Sequence, residues 1–148
     1  MRYFVDTEFN GFGGELISIA LVPEDEGLAS FYAAVECRNP TPWVIEHILP
    51  VLDAEPVERS RLVDQFADYL SDDPEPVLVA DWPEDIALAA RLLVIGPGLM
   101  KPVRHIRFDL VDADLVSSGE GSAVPHNAYH DAVRLRAEVL AHEKRMAI

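Results

Sequence analysis

A single cysteine, Cys37, stands in the 148 residues, so an intrachain disulfide is excluded and a disulfide framework with it. Basic side chains are scarce: 12 Lys and Arg face 26 Asp and Glu, a formal net charge of −14. A field of that sign repels phosphate backbones, which excludes nonspecific coating of nucleic acid. Recognition of one strand end stays open, because bound divalent metals reverse the local sign. No stretch approaches the roughly 20 apolar residues of a bilayer span. The longest acid-free run, Ile86 to Phe108, is broken by Arg91, Gly96, Pro97, Gly98 and Lys101. The first residues, MRYFVDTEFN, lack the apolar run of a signal peptide, so a cytoplasmic protein without membrane attachment is expected. Internal repeats and low-complexity tracts are also missing.

What is present suits an ordinary globular chain, with 49% hydrophobic and 26% charged residues, and the length fits one domain over residues 1–148. The charge is uneven. Residues 1–74 hold 4 basic and 15 acidic side chains, and residues 75–148 hold 8 and 11. An anionic ligand is therefore expected to approach the second half.

Two β-branched and aromatic runs, Arg2 to Val5 and Leu16 to Val22, flank the turn-forming Gly11-Phe12-Gly13-Gly14 and predict a hairpin. A third run, Ser30 to Val35, extends it to an antiparallel meander. The period then changes: Trp43, Ile45, Ile48 and Leu49 predict a short helix, and Val57 to Leu70 a longer one. Val77 to Ala80 reads as a buried parallel strand, Pro83 to Leu93 as a helix opened by proline, and Val103 to Leu110 as a further strand. After the polar segment 112–124, residues Ala128 to Glu143 place Ala132, Leu135, Val139 and Leu140 on one face of a closing helix. The order predicts an α/β fold: a mixed five-stranded sheet, antiparallel meander plus parallel strands, flanked by helices. A ribonuclease-H-like sheet fits this order.

Several carboxylates stand where apolar residues are expected. Asp6 and Glu8, two apart at the end of the first strand, share a face and repel one another unless a hard divalent cation lies between them. The alternative is that the strand has ended and both are solvated. Asp85 shares a helix face with Leu88, Ala89 and Leu92, so its charge is predicted to be buried and to call for a cation. Asp81, at the strand-to-helix junction with Glu84 three positions on, reads as a helix N-cap. Asp131 lies at the edge of the apolar stripe of the last helix, with Arg134 or Arg136 as its alternative partner. His126, five positions earlier, reaches the same place only from the loop before the helix.

The order Asp6-Thr7-Glu8, Asp85, then His126 and Asp131 resembles the DEDDh exonucleases, the 3′-to-5′ family with a ribonuclease-H-like fold that includes polymerase proofreading subunits and RNase T. Asp6-Thr7-Glu8-Phe9 matches the first motif, Asp-x-Glu on the first strand, and Asp85 the second, near the start of a helix after a buried strand. His126-Asn127-Ala128-Tyr129-His130-Asp131 matches the third; the tyrosine-type branch would have Tyr at Asn127, so the histidine branch is indicated. The family often has Asn four residues before the second Asp, where this chain has Asp81, which makes Asp81 the alternate for Asp85.

The resemblance implies that Asp6, Glu8, Asp85 and Asp131 hold two divalent cations, Mg²⁺ or Mn²⁺, with His126 as the general base that activates water. It implies hydrolysis of single-stranded RNA, or DNA, from the 3′ end to 5′-mononucleotides, and a homodimer like that of RNase T. Phe9 and Phe12 beside the first motif are candidate base-stacking residues, and Arg104 and Arg107 in the acid-free run candidate phosphate contacts. Two competing readings are a single-metal hydrolase using His126, His130 and Asp131, and a noncatalytic acidic module that binds a protein partner.

Overall fold

The computed structural model describes residues 1–148. Strands β1 (Arg2–Phe9) and β2 (Leu16–Pro23) form an antiparallel hairpin, and β3 (Phe31–Ala34) adds antiparallel to β2. Helix α1 (Pro42–His47) and a 3-10 turn over Leu49–Val51 lead into α2 (Arg59–Leu70). Next come β4 (Val77–Ala80), parallel to β1, and α3 (Pro83–Leu92). A small hairpin of β5 (Val94–Gly96) and β6 (Leu99–Met100) precedes β7 (Arg107–Leu110), which is parallel to β4. The chain closes with α4 (Ala113–Val116) and α5 (Ala128–Met146). The main sheet is mixed and five-stranded, in the order β3-β2-β1-β4-β7.

The differences from the sequence pattern have local causes. Asp6 and Glu8 have little strand preference, yet β1 continues to Phe9 because it pairs with β2 as far as Phe9 against Leu16, through a bulge at Glu8/Phe9. Val57 leaves α2 to bridge Val35, so that helix starts at Arg59. Part of the acid-free run folds as the β5–β6 hairpin, and the expected strand from Val103 shortens to Arg107–Leu110. The tight turn after β1 depends on Gly14, where a Cβ would lie 2.0 Å from the Asn10 carbonyl oxygen.

Alternation along β1 decides where the chemistry points. Tyr3 and Val5 pack into the core beneath α2 and α3, with Leu62, Phe66, Leu70, Ala89 and Leu92. Phe4 points to the other face, onto Leu135 and Val139 of α5. Continuing the two-residue period sends Asp6 and Glu8 to the α5 face and Thr7 to the α3 face. β2 is buried along its whole length, as a strand covered on both faces should be. No helix is long and apolar enough to cross a membrane.

Candidate active site

Asp6 and Glu8 on β1 meet Asp131, in the first turn of α5, with one carboxylate oxygen from each lying within 4.8 Å of the others. Burial and mutual repulsion strain this group. Desolvation holds the Asp6 carboxyl well above its usual range, and the charges of Asp85, Glu8 and Asp131 push it further. Glu8 is 8% exposed, and burial, then Asp131 and Asp85, raise it to about 8. Asp6 Oδ2 is buried without a hydrogen-bond partner. So is the hydroxyl of Ser18, which pairs directly across from Glu8 in the β1–β2 ladder. A converging set of oxygen donors with an orphaned carboxylate oxygen fits a hard divalent cation and is costly without one. Solvation does not explain Glu8 at this depth.

Asp85 reaches the same end of β1 from the opposite face. It is 3% exposed, and one carboxylate oxygen accepts from Thr7 N at 3.1 Å and Thr7 Oγ1 at 2.5 Å. Burial raises its carboxyl to about 7 against the opposing Thr7 hydroxyl bond, and Asp81 and Glu84 add to the rise. Asp85 is outside the three-carboxylate group and acts on it through the field at Asp6. The N-cap role expected for Asp81 is not found. Trp82 precedes α3 without a side-chain cap, and Asp81 instead pairs with Arg134 at 3.2 Å. Arg134 also holds Glu138 at 2.5 Å, while Arg136 goes to Glu26 at 3.2 Å. Neither arginine therefore takes Asp131, which accepts the His126 backbone N–H at 3.1 Å.

His126 sits in the loop before α5 with φ +67, a left-handed conformation that a side chain other than glycine rarely adopts. Asn127, 2% exposed, holds that conformation from the next position. Its Oδ1 accepts from Tyr129 N at 3.0 Å and His130 N at 3.3 Å, capping the helix. Its amide donates to the Val51 carbonyl at 2.8 Å and to Tyr32 Oη at 3.3 Å, tying α5 to the segment after α1. Trp43 and His47 complete the wall. Their rings stack at 4.6 Å, and Trp43 meets the His126 ring edge-on at 5.0 Å while remaining 49% exposed. Sequence reasoning left both out, although residues four apart on the predicted short helix share one face. His130 packs beside Tyr129 at 5.2 Å and, like His126, stands outside the group of candidate ligands.

Of the candidate substrate contacts, Phe9 is half-buried at the end of β1 and Phe12 is fully exposed in the following turn. Arg104 and Arg107 are not brought to the carboxylates. Arg107 pairs with Val77 at the start of β4, whereas Asp81 and Asp6 lie past the far ends of β4 and of its pairing with β1.

The raised carboxyls make stability depend on pH. Their folded pKa values exceed the unfolded ones, so the protonated forms favour the folded state, and that contribution is lost as pH rises through about 7 at Asp85 and about 8 at Glu8. In EDTA, the melting temperature is expected to fall by roughly 5–10 °C between about pH 5 and about pH 9, given about 2–4 °C per kcal/mol at this size. Glu8→Gln should flatten the fall. A metal-free melting temperature level across that interval in the parent protein would contradict the assigned burial.

No protein-family model matches the chain, and the search of curated proteins returned no match.

Proposed function

We propose that the chain is a metal-dependent 3′-to-5′ exonuclease of the DEDDh type on a ribonuclease-H-like sheet, acting on single-stranded RNA ends. The observation that carries this reading is the convergence of Asp6, Glu8 and Asp131 to within 4.8 Å from two elements distant in sequence. The Asp6 oxygen that is buried without a hydrogen-bond partner supports the reading, because a hard cation would satisfy it.

Asp6, Glu8 and Asp131 would hold one Mg²⁺ or Mn²⁺, with Asp85 drawn in through Asp6 for a second. Such ions would supply positive charge for the transition state of an in-line displacement at phosphorus. The protein's own contribution is placement. Thr7 fixes Asp85 through two hydrogen bonds, and Asn127 fixes the start of α5, hence Asp131 and the His126 loop. His126, beside Asp131, takes the proton of the attacking water. Trp43, half exposed against His126, offers an aromatic face to a terminal base. Arg134 pairs with both Asp81 and Glu138, whereas Asp6, Glu8, Asp85 and Asp131, the carboxylates assigned to the ions, have no basic side chain as partner.

The deciding experiment is a time course on 5′-labelled single-stranded RNA and DNA of the same sequence in Mg²⁺ or Mn²⁺. Expected is a ladder that shortens stepwise from the 3′ end, releases 5′-mononucleotides and stops in EDTA. Cuts in circular substrates, or cleavage indifferent to EDTA, would overturn the reading.

A further inference from the structure

Ser18 stands beside the carboxylates with no assigned role. It is 0% exposed in β2, and its hydroxyl has no hydrogen-bond partner. The residues in phase with it along the strand, Ala20 and Val22, pack with Ala128 and Ala132 of α5. Alanine would suit such a place better, because a buried hydroxyl without a partner costs free energy that a methyl group does not. The backbone holds Ser18 there. Ile17 has no partner in the β1–β2 register, where the pairing passes from Glu8 against Ser18 to Phe9 against Leu16. Leu16 and Ile19 both enter the α2/α3 core, whereas Ile17 turns to Val44 and Ile48. The bulge therefore puts Ile17 and Ser18 together on the side of α1 and α5, level with Glu8.

We propose that Ser18 is a positioning residue of the carboxylate site: its hydroxyl donates to the Glu8 carboxylate, fixing one oxygen so that the other is presented to a divalent cation held with Asp6 and Asp131. The proposal rests on the metal-dependent part of the exonuclease reading, not on its substrate. Reach is given by the ladder. Residues directly opposite one another carry Cβ atoms about 4.5–5.5 Å apart on one face, a gap that a serine hydroxyl and a glutamate carboxylate close by rotating their side chains. The competing acceptor is Tyr32. Burial pushes its phenol up to about 12, with Ser18 opposing the rise and the charge of Glu8 adding to it, so the three groups sit close together. The Tyr32 hydroxyl is already engaged, donating to the Leu52 carbonyl and accepting from Asn127 Nδ2 at 3.3 Å. An ionised carboxylate is the stronger acceptor and keeps lone pairs to spare for a cation. The other carboxylates show the same device. Asp85 is held by Thr7 Oγ1 at 2.5 Å and Thr7 N at 3.1 Å, and Asp131 by the His126 N–H at 3.1 Å. Glu8 has one more rotatable bond than either aspartate, so it has the most freedom to lose on ligation, and Ser18 is the donor placed to hold it.

The test compares Ser18→Ala and Ser18→Thr with the parent protein. In the metal-free protein at alkaline pH, where Glu8 is ionised, the ¹³C carboxyl resonance of Glu8 should move in Ser18→Ala, while that of Asp131, whose donor is a backbone N–H, stays in place. Isothermal titration of the same variant with Mn²⁺ should give a Kd raised about 10–100-fold, the usual effect of losing a group that orients a metal ligand. Its melting temperature in EDTA should not fall, since the variant removes a hydroxyl that the fold itself leaves unpaired. Ser18→Thr keeps a hydroxyl on the same carbon and should bind Mn²⁺ close to the parent value. The assignment is overturned if Ser18→Ala binds Mn²⁺ as its parent does, if the Glu8 resonance is unmoved, or if the metal-free melting temperature falls, which marks a hydroxyl that serves the fold. A threonine variant with an unchanged melting curve and the weak affinity of the alanine variant also overturns it. A parent protein that binds Mn²⁺ but leaves RNA intact removes the exonuclease reading and keeps the assignment, whereas a parent that binds no Mn²⁺ removes both.

Discussion

Asp6→Asn is expected to lower hydrolysis by at least about 10³-fold while raising the melting temperature of the metal-free protein. The loss follows because several kcal/mol of transition-state charge stabilisation depend on the cation, and each 1.4 kcal/mol is about tenfold in rate. The gain follows from electrostatics: the Asp6 carboxyl, with one oxygen buried, lies in the field of Asp85, Glu8 and Asp131, and a neutral amide of the same shape relieves both desolvation and repulsion. Opposite signs for activity and stability distinguish a functional acid from a structural one, whose removal lowers both. Glu8→Gln and Asp131→Asn should behave alike, since all three belong to one candidate ligand group. Asp85→Ala should also nearly abolish turnover. Asp81→Ala should act chiefly by freeing Arg134 and leave most activity in place. Full activity in the Asp85 variant together with a dead Asp81 variant would transfer the second-motif role to Asp81. Isothermal titration with Mn²⁺ checks the cause, since the Asp6 variant should lose binding that the Asp81 variant keeps.

Legibility of the site in the sequence followed the range of the interactions involved. Asp6 and Glu8 on one face, and Asp85 in line with Leu88, Ala89 and Leu92, rest on the strand and helix periods alone; Glu8 and Asp85 reappear in the fold as buried acids, and Asp6 as a half-buried one with a buried carboxylate oxygen. The mixed character of the five-stranded sheet was legible too, since short links mark the antiparallel meander and the continuous apolar run of β4 marks a buried parallel strand. Side-chain partners set by tertiary packing were not. Asp81 was read against its neighbour Glu84, but its partner is Arg134, 53 residues away. Thr7 carried no signal of its own, because its bond to Asp85 spans 78 residues. Basic character misled for a related reason. The acid-free run 86–108 is a contiguous feature of the chain, yet it is divided among most of α3, the β5–β6 hairpin and the start of an edge strand, with Arg107 at the end of the sheet away from the carboxylates. Arginines at 38, 59, 61 and 91 form no run at all and still meet in one groove.

His126→Ala is expected to reduce kcat by roughly 10²–10⁴-fold, the usual contribution of a positioned general base, with divalent-metal affinity retained. The separation of the two effects follows from geometry. The candidate ligand group consists of carboxylates alone, and His126 contacts it through its backbone N–H on Asp131, a bond that alanine keeps. Alanine also removes the ring that Trp43 meets edge-on, so some of the loss should reside in KM if a base is seated there. His130→Ala, whose ring packs beside Tyr129, should change turnover little. Measuring kcat by single-turnover hydrolysis and metal affinity by Mn²⁺ titration on the same variants separates the two mechanisms. In the two-ion nuclease the His126 variant binds metal and fails to turn over. In the single-metal hydrolase built on His126, His130 and Asp131, either histidine variant loses the metal itself, and that result would make the hydrolase the better account of this centre.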